Sequence, residues 1–154
     1  MPSISFSRFT YINRPDDRQA IERDGLITLG DIGYLEANGY LYICDRKSDM
    51  VISGGVNIYP AEIEAVLVNM PGVEDCAVFG IPDDEFGEVL AVHVQHDSRC
   101  LQPDMIRSYL KARIADYKIP RVIQFTATLP RDDSGKIFKR LLREPYWRNV
   151  QRRI

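Results

Sequence analysis

The sequence predicts an α+β fold in which small sheets are packed against helices, with a β-hairpin ahead of them. Strand-like apolar runs alternate irregularly with two amphipathic helices, which is typical of this class. The regular βαβ alternation of a dinucleotide fold is absent, and so is the Gly-x-Gly-x-x-Gly motif. A length of 154 residues allows one ordinary domain, or one domain with part of another.

Composition and charge argue against several kinds of partner and site. A formal net charge of −2 gives no electrostatic reason to expect a nucleic acid or an anionic membrane as partner. The three cysteines, Cys44, Cys76 and Cys100, are odd in number and far apart, so they indicate neither a disulfide framework nor a zinc site. No signal peptide and no apolar run of transmembrane length is visible. We therefore expect a cytoplasmic protein without a transmembrane segment.

Two turn signals organise the first half of the chain. Aromatic-rich runs within residues 31–43 flank Asn38-Gly39, a strong β-hairpin signal because both residues accept positive φ. Further on, residues 50–52 and 56–58 have the composition of short strands separated by Ser53-Gly54-Gly55. Paired glycines allow a tight turn, or the close approach of another molecule to the backbone.

Two helices follow proline signals. Pro60 is placed at the start of the first helix, and its apolar positions fall on one face: Ile63, Val66, Leu67 and Met70. Pro103 begins the second, whose inward positions are Ile106, Leu110 and Ile114. Strands are predicted at Val73–Ile81, Val89–Val94 and Val122–Phe125.

The sequence does not predict a metal site. The acidic loop at residues 82–88 lacks the alternating ligand spacing of a calcium loop. His93 and His96 are three apart on a predicted strand, so their side chains point to opposite faces and cannot form a ligand pair.

The segment Pro130–Lys136, here called the lysine turn, combines turn residues with one lysine just before an apolar and basic helix. It is not a Walker loop, because such a loop needs glycine at position 130 and a hydroxyl at position 137. On its own, the turn is typical of a solvated surface lysine. A lysine at such a tip can also meet an oxyanion presented by another part of a protein.

Four motifs in order resemble the C-terminal portion of the AMP-forming acyl-CoA synthetases, in the adenylating superfamily with luciferases and peptide-synthetase adenylation domains. They lie at residues 29–34, 45–50, 53–64 and 132–136. The segment 143–147 is similar to the tails of acyl-CoA synthetases in particular, and the resemblance covers roughly residues 10 to 150.

The resemblance implies roles for individual residues in the adenylation half-reaction. Asp31 and Arg46 correspond to residues that contact the ribose of ATP, and Ile43 to one near the adenine. Lys136 matches the lysine that meets both the substrate carboxylate and the α-phosphate. The chain departs from the family at Leu29, where threonine is usual.

The resemblance also implies roles in the second half-reaction. Gly54 and Gly55 match the loop that lines the pantetheine tunnel, and Tyr117 and Arg121 lie where relatives contact the CoA nucleotide. The family's hinge residue, normally Asp or Lys, aligns with Ser48. Its neighbours are Lys47 and Asp49.

The resemblance further implies two parts: residues 1–45 as the tail of a large N-terminal domain, and residues 46–154 as a mobile C-terminal lid. The expected reaction converts a carboxylic acid, most simply a fatty acid, with ATP and CoA into acyl-CoA, AMP and pyrophosphate through an acyl-adenylate. The family's phosphate loop and acyl pocket lie in the large domain and do not occur in this sequence.

We therefore expect a fragment that is inactive alone, with Mg²⁺ arriving with ATP and held by the missing domain. The alternatives are a free-standing module that binds CoA or a nucleotide without catalysis, and the lid of an adenylation domain that serves a carrier protein.

Overall fold

The computed structural model describes residues 15–23, 26–96 and 101–148; Cys100 lies outside them. The helices are α1 (Pro15–Ile21), α2 (Pro60–Leu67), α3 (Pro103–Lys111) and α4 (Lys139–Trp147), with a 3₁₀ turn at Asp116–Lys118. The strands are β1 (Glu22–Arg23), β2 (Leu26–Ile27), β3 (Asp31–Leu35), β4 (Leu41–Arg46), β5 (Val51–Ser53), β6 (Val56–Ile58), β7 (Val73–Asp83), β8 (Gly87–His96) and β9 (Val122–Thr126). No described helix is long and apolar enough to cross a membrane.

The main sheet is built around the long antiparallel hairpin of β7 and β8, in the order β6-β5-β8-β7. The first residue of β8 pairs with the end of β5, at Gly87 and Ser53. Further along, β9 runs parallel to β8, with Ala91 opposite Val122. Mixed strand directions together with separate helices confirm the predicted α+β class.

Residues alternate between two apolar layers along β7 and β8, as expected for strands covered on both faces. One face carries the larger core with α2 and α3, where Ile63, Leu67, Ile106 and Leu110 are inaccessible to solvent. The opposite face carries a smaller cluster packed against α4, made of Phe79, Ile81, Val89 and Ala91 with Leu142 and Tyr146. The predicted inner faces of both helices are therefore confirmed, with Val66 and Ile114 only partly buried.

Polar contacts near both ends of α4 attach this helix to the rest of the fold. The Lys139 ammonium lies 2.8 Å from a carboxylate oxygen of Glu64 on α2. At the other end of α4 the Trp147 indole N–H donates to the Gly80 carbonyl oxygen at 3.1 Å. Because α4 begins directly after the lysine turn, these contacts help to fix where that turn lies.

The predicted hairpin is confirmed in β3 and β4, which pair antiparallel with Leu35 opposite Leu41. Gly39 has φ of 89°, and its N–H donates to the Glu36 carbonyl oxygen to close the loop. The strand pairing shifts by one residue after Ile32, so Cys44 forms a bulge in β4. Large apolar side chains on and beside the hairpin are exposed in the described structure, namely Leu29, Tyr34, Leu35, Tyr40, Leu41, Tyr42 and Ile43.

Candidate functional site

The lysine turn is ordered by the carboxylate of Asp132. One oxygen, Oδ1, accepts hydrogen bonds from the Ser134 N–H at 2.9 Å, the Ser134 hydroxyl at 2.6 Å and the Lys136 N–H at 3.0 Å. The Ser134 hydroxyl is the main reason why the pKa of Asp132 lies below its ordinary value. Gly135 has φ of 84°, a conformation that favours glycine.

Arg131 links this turn to the main sheet. Its guanidinium donates to the Gly135 carbonyl oxygen at 2.8 Å and forms an ion pair with Asp75 on β7. The backbone closes the same turn, because the Asp132 N–H donates to the Lys136 carbonyl oxygen at 2.9 Å. Lys136 is exposed, and the described residues provide no carboxylate as its ion-pair partner. Its ammonium can therefore meet an anion from outside.

The glycine turn, Gly54-Gly55, joins β5 to β6. Ser53 pairs with Val56, and the glycines have φ of 55° and 81°, so both residues need the left-handed region. The Gly54 N–H donates to the Phe86 carbonyl oxygen at 2.9 Å, and a Cβ at Gly54 would lie 3.0 Å from the Phe86 ring. A Cβ at Gly55 would have nothing within 4 Å. The turn is tight on its inner side and open at its tip.

A groove of about 350 Å³ begins at this turn; we call it the glycine groove. Its lining includes Gly54, Tyr117 and Arg121, so three of the residues predicted to contact CoA lie together. The Arg121 guanidinium lies 4.4 Å from the centre of the Phe86 ring and 3.2 Å from a carboxylate oxygen of Asp83. The groove therefore combines a cation, aromatic surfaces and a backbone without side chains.

The predicted nucleotide residues lie together on the hairpin. Asp31 pairs with Arg46, and Gly33, two residues along the same strand, pairs with Ile43. Asp31 and Gly33 share one face of β3, and the bulge at Cys44 brings Ile43 to the same face as Arg46, three residues further along β4. The Asp31 carboxylate lies 3.9 Å from Nε of Arg46, and both side chains are exposed to solvent. The carboxylate can accept hydrogen bonds from the two hydroxyls of a diol, and the guanidinium can donate hydrogen bonds to them.

The predicted hinge is a short turn between β4 and β5. The Lys47 N–H donates to the Gly30 carbonyl oxygen at 2.7 Å, and the Asp49 N–H to the Arg46 carbonyl oxygen at 3.0 Å. The Ser48 hydroxyl, exposed at the tip, lies 3.3 Å from the Asp49 carboxylate. Ser48 therefore makes only a local side-chain contact among those described.

Asp45 is a residue that sequence reasoning missed. Its carboxylate accepts a hydrogen bond from the Ala61 N–H at 3.0 Å, in the first turn of α2. The residue at the N-cap of that helix is Tyr59, which makes no side-chain capping bond. Asp45 supplies this acceptor from 16 positions upstream, a distance at which no local capping pattern could reveal it.

The lysine turn and the glycine turn lie at opposite ends of the β7–β8 hairpin. Arg131 contacts Asp75 near the open end, whereas Gly54 contacts Phe86 at the closed end. The eight-residue step from Asp75 to Asp83 corresponds to about 26 Å along a strand. Both turns therefore contact the same β-hairpin, but at opposite ends of it.

Metal-ligating side chains do not converge in the part of the chain that the structure describes. No group of three or more His, Cys, Asp and Glu residues is arranged there to hold an ion. His93 instead lies 3.2 Å from the Tyr146 hydroxyl, and His96 packs edge-on against Phe125.

Comparison with known proteins gives consistent matches. Residues 62–136 match the family model described as AMP-binding enzyme C-terminal domain. The chain is 45% identical over 136 residues to the long-chain-fatty-acid–CoA ligase FadD13 of Mycobacterium tuberculosis, covering 88% of this chain and 27% of that protein. It is 45% identical over 130 residues to a feruloyl-CoA synthase of an Amycolatopsis species, covering 84% of this chain and 26% of that protein.

A solved structure shares the fold. ATP-bound MatB from Rhodopseudomonas palustris superposes with a TM-score of 0.81 at 36% identity, covering 89% of this chain and 28% of that one. The chain thus spans about a quarter of the length of the relatives that it matches. The sequence match and the shared architecture agree: this chain carries the AMP-binding enzyme C-terminal domain, matched over residues 62–136.

Proposed function

We propose that this chain is the C-terminal part of an acyl-CoA ligase that makes acyl-CoA from a carboxylic acid, ATP and CoA. Two named relatives at 45% identity are a fatty-acid–CoA ligase and a feruloyl-CoA synthase, which supports this reaction class. The observation that carries the proposal is the exposed Lys136 at the tip of a turn fixed to β7.

In the first half-reaction, an oxygen of the acid's carboxylate attacks the α-phosphorus of ATP and pyrophosphate leaves. Two anions must approach each other for this attack. The ammonium of Lys136 offsets their repulsion by contacting the carboxylate and an α-phosphate oxygen, and so stabilises the charge of the pentavalent transition state. Asp31 and Arg46 hold the ribose hydroxyls, and Ile43 packs beside the adenine.

In the second half-reaction, the thiol sulfur of CoA attacks the acyl carbonyl carbon and AMP leaves. The glycine groove receives the pantetheine arm past Gly54 and Gly55, since neither residue carries a side chain that would narrow the path. Tyr117 and Arg121 contact the CoA nucleotide, which their position beside the same groove supports.

The separation of the two turns supports a lid that rotates between the half-reactions. About 26 Å of rigid hairpin lies between them, so each can serve the same acyl centre only if the lid, residues 46–154, turns. We assign the pivot to Ser48, with Lys47 beside it, and residues 1–45 to the large domain. The exposed apolar side chains on the hairpin would then be covered by the rest of that domain.

Two further assignments complete the proposal. Mg²⁺ enters with ATP and takes its ligands from the large domain. The reaction takes place in the cytoplasm, which the small and odd number of widely spaced cysteines supports, because disulfide frameworks are typical of oxidising compartments.

A chimera tests the proposal, with this chain replacing the matching 27% of FadD13. We expect fatty-acid-dependent exchange between ATP and pyrophosphate well above that of FadD13 cut before the matching region. A chimera that unfolds cooperatively on heating but shows no exchange, beside an active parent enzyme, would contradict the proposal.

A further inference from the structure

The polar contacts of the lysine turn are concentrated on Asp132, whose side chain is exposed but whose carboxylate accepts hydrogen bonds from within the turn. The three hydrogen bonds of Asp132 end on Ser134 and Lys136. Two of them, at 2.9 and 3.0 Å, come from backbone N–H groups, so the carboxylate holds the main chain at Ser134, two residues before the lysine, and at the lysine itself. This arrangement sets the direction in which the lysine side chain leaves the backbone.

The second set of contacts joins the same turn to β7. Arg131 donates to the Gly135 carbonyl oxygen and pairs with Asp75, which lies 56 positions earlier in the chain. A charge-assisted bond on each side of a planar guanidinium has a more defined geometry than a lysine contact would have. Arg131 thereby connects the backbone next to Lys136 to β7.

We propose that Asp132 is a positioning residue for the adenylation step, within a turn that the Arg131–Asp75 ion pair attaches to β7. Asp132 acts through the backbone of Ser134 and Lys136, and touches neither the acid nor ATP. The inference rests on the proposed role of Lys136 in adenylation.

The position next to Asp132 offers a matched control. Asp133 carries the same charge and is exposed, and among the described residues its carboxylate has no hydrogen-bond donor. Asp132→Ala and Asp133→Ala therefore remove the same charge one residue apart, and only the first removes the contacts. Asp132→Asn removes the charge but keeps Oδ1 as an acceptor.

The test uses these variants in the FadD13 chimera. For Asp132→Ala we expect kcat for acyl-AMP formation to fall roughly 10- to 100-fold, the loss typical of a misplaced catalytic group. KM for ATP and thioester formation from preformed acyl-AMP should change less than about twofold, because they do not depend on the position of Lys136. Asp133→Ala should match the unsubstituted chimera, and Asp132→Asn should recover most of the rate.

A second measurement needs no activity. In the 154-residue chain itself, Asp132→Ala should speed hydrogen exchange at the Ser134 and Lys136 amides, whereas Asp133→Ala should not. Unchanged exchange would overturn the proposal, as would an Asp132→Asn variant as slow as Asp132→Ala. Full adenylation activity in a Lys136→Ala chimera would contradict the proposed function itself. If Lys136→Ala abolishes adenylation and Asp132→Ala leaves it unchanged, only the positioning role of Asp132 would be contradicted.

Discussion

The Asp45 carboxylate accepts a hydrogen bond from the backbone N–H of Ala61, across the boundary that we propose between the large domain and the lid. The contact satisfies one of the N–H groups left unpaired at the start of α2. It also ties the last strand of the hairpin to the helix that carries Ile63 and Leu67 into the core. The resting position of the hairpin is thus coupled to the stability of the lid.

Removal of that contact should weaken the fold. We expect Asp45→Ala to lower the free energy of unfolding in urea by about 1 kcal/mol, the usual cost of losing a helix cap. Asp49→Ala is the control, because its carboxylate contacts only the neighbouring Ser48 among the described side-chain bonds, at 3.3 Å. Equal stability of the Asp45→Ala and unsubstituted chains would show that the contact contributes nothing in solution.

The glycine turn should matter for thioester formation and not for adenylation. Gly55→Leu in the chimera places a side chain at the open tip of the turn and should slow transfer from acyl-AMP to CoA at least about tenfold. Gly39→Leu controls for strain, since Gly39 also has positive φ, 89°, and open space around it. If both variants lose the same amount of thioester activity, backbone strain alone would explain the loss and the tunnel role would be withdrawn.

His93 should make stability depend on pH. Burial lowers its pKa, and the ring lies against Phe79 and the Tyr146 hydroxyl. A depressed folded-state pKa means that the contribution to stability is present above the ordinary histidine value of about 6.5 and is lost as the pH falls through the folded value. The free energy of unfolding, measured with denaturant, should therefore be lower at about pH 5.5 than at about pH 7.5, two values on either side of ordinary histidine titration.

The variant His93→Gln checks the assignment of this decrease. Glutamine cannot titrate but can still hydrogen-bond to Tyr146, so the decrease between the two pH values should become smaller. An unchanged decrease would assign the pH dependence to other groups.

The 154-residue chain alone should catalyse no exchange between ATP and pyrophosphate. It spans 27% of FadD13, and its sequence contains no Ser/Thr/Gly-rich loop to hold the triphosphate. Labelled pyrophosphate incorporation with a long-chain fatty acid measures this, beside intact FadD13 as a positive control. Incorporation that disappears in Lys136→Ala would show that the chain is sufficient and that the large domain is not required.

Local patterns were enough to predict much of the fold. The segments Val73–Ile81 and Val89–Val94 are predicted as strands and lie within β7 and β8. The spacing of Ile63 and Leu67 predicts a buried helix face, because side-chain periodicity follows directly from backbone geometry. Gly54-Gly55 predicts its turn for a similar reason, since two adjacent residues there adopt positive φ.

Contacts between distant positions were not predictable in this way. The bond from Asp45 to Ala61 spans 16 positions, and the ion pair between Arg131 and Asp75 spans 56. Neither leaves a periodic or capping signal, because each depends on how complete elements pack. The motifs identified the lysine turn, but the residues that hold it to the sheet became visible only in three dimensions.

The most direct test of the account is Lys136→Ala in the FadD13 chimera, with each half-reaction measured separately. Acyl-AMP formation should fall roughly 100-fold or more, the scale of losing a group that stabilises transition-state charge. Thioester formation from preformed acyl-AMP should survive, and Lys111→Ala, an exposed lysine on α3, should affect neither step. An equal loss in both half-reactions, or no loss in adenylation, would contradict the role assigned to Lys136.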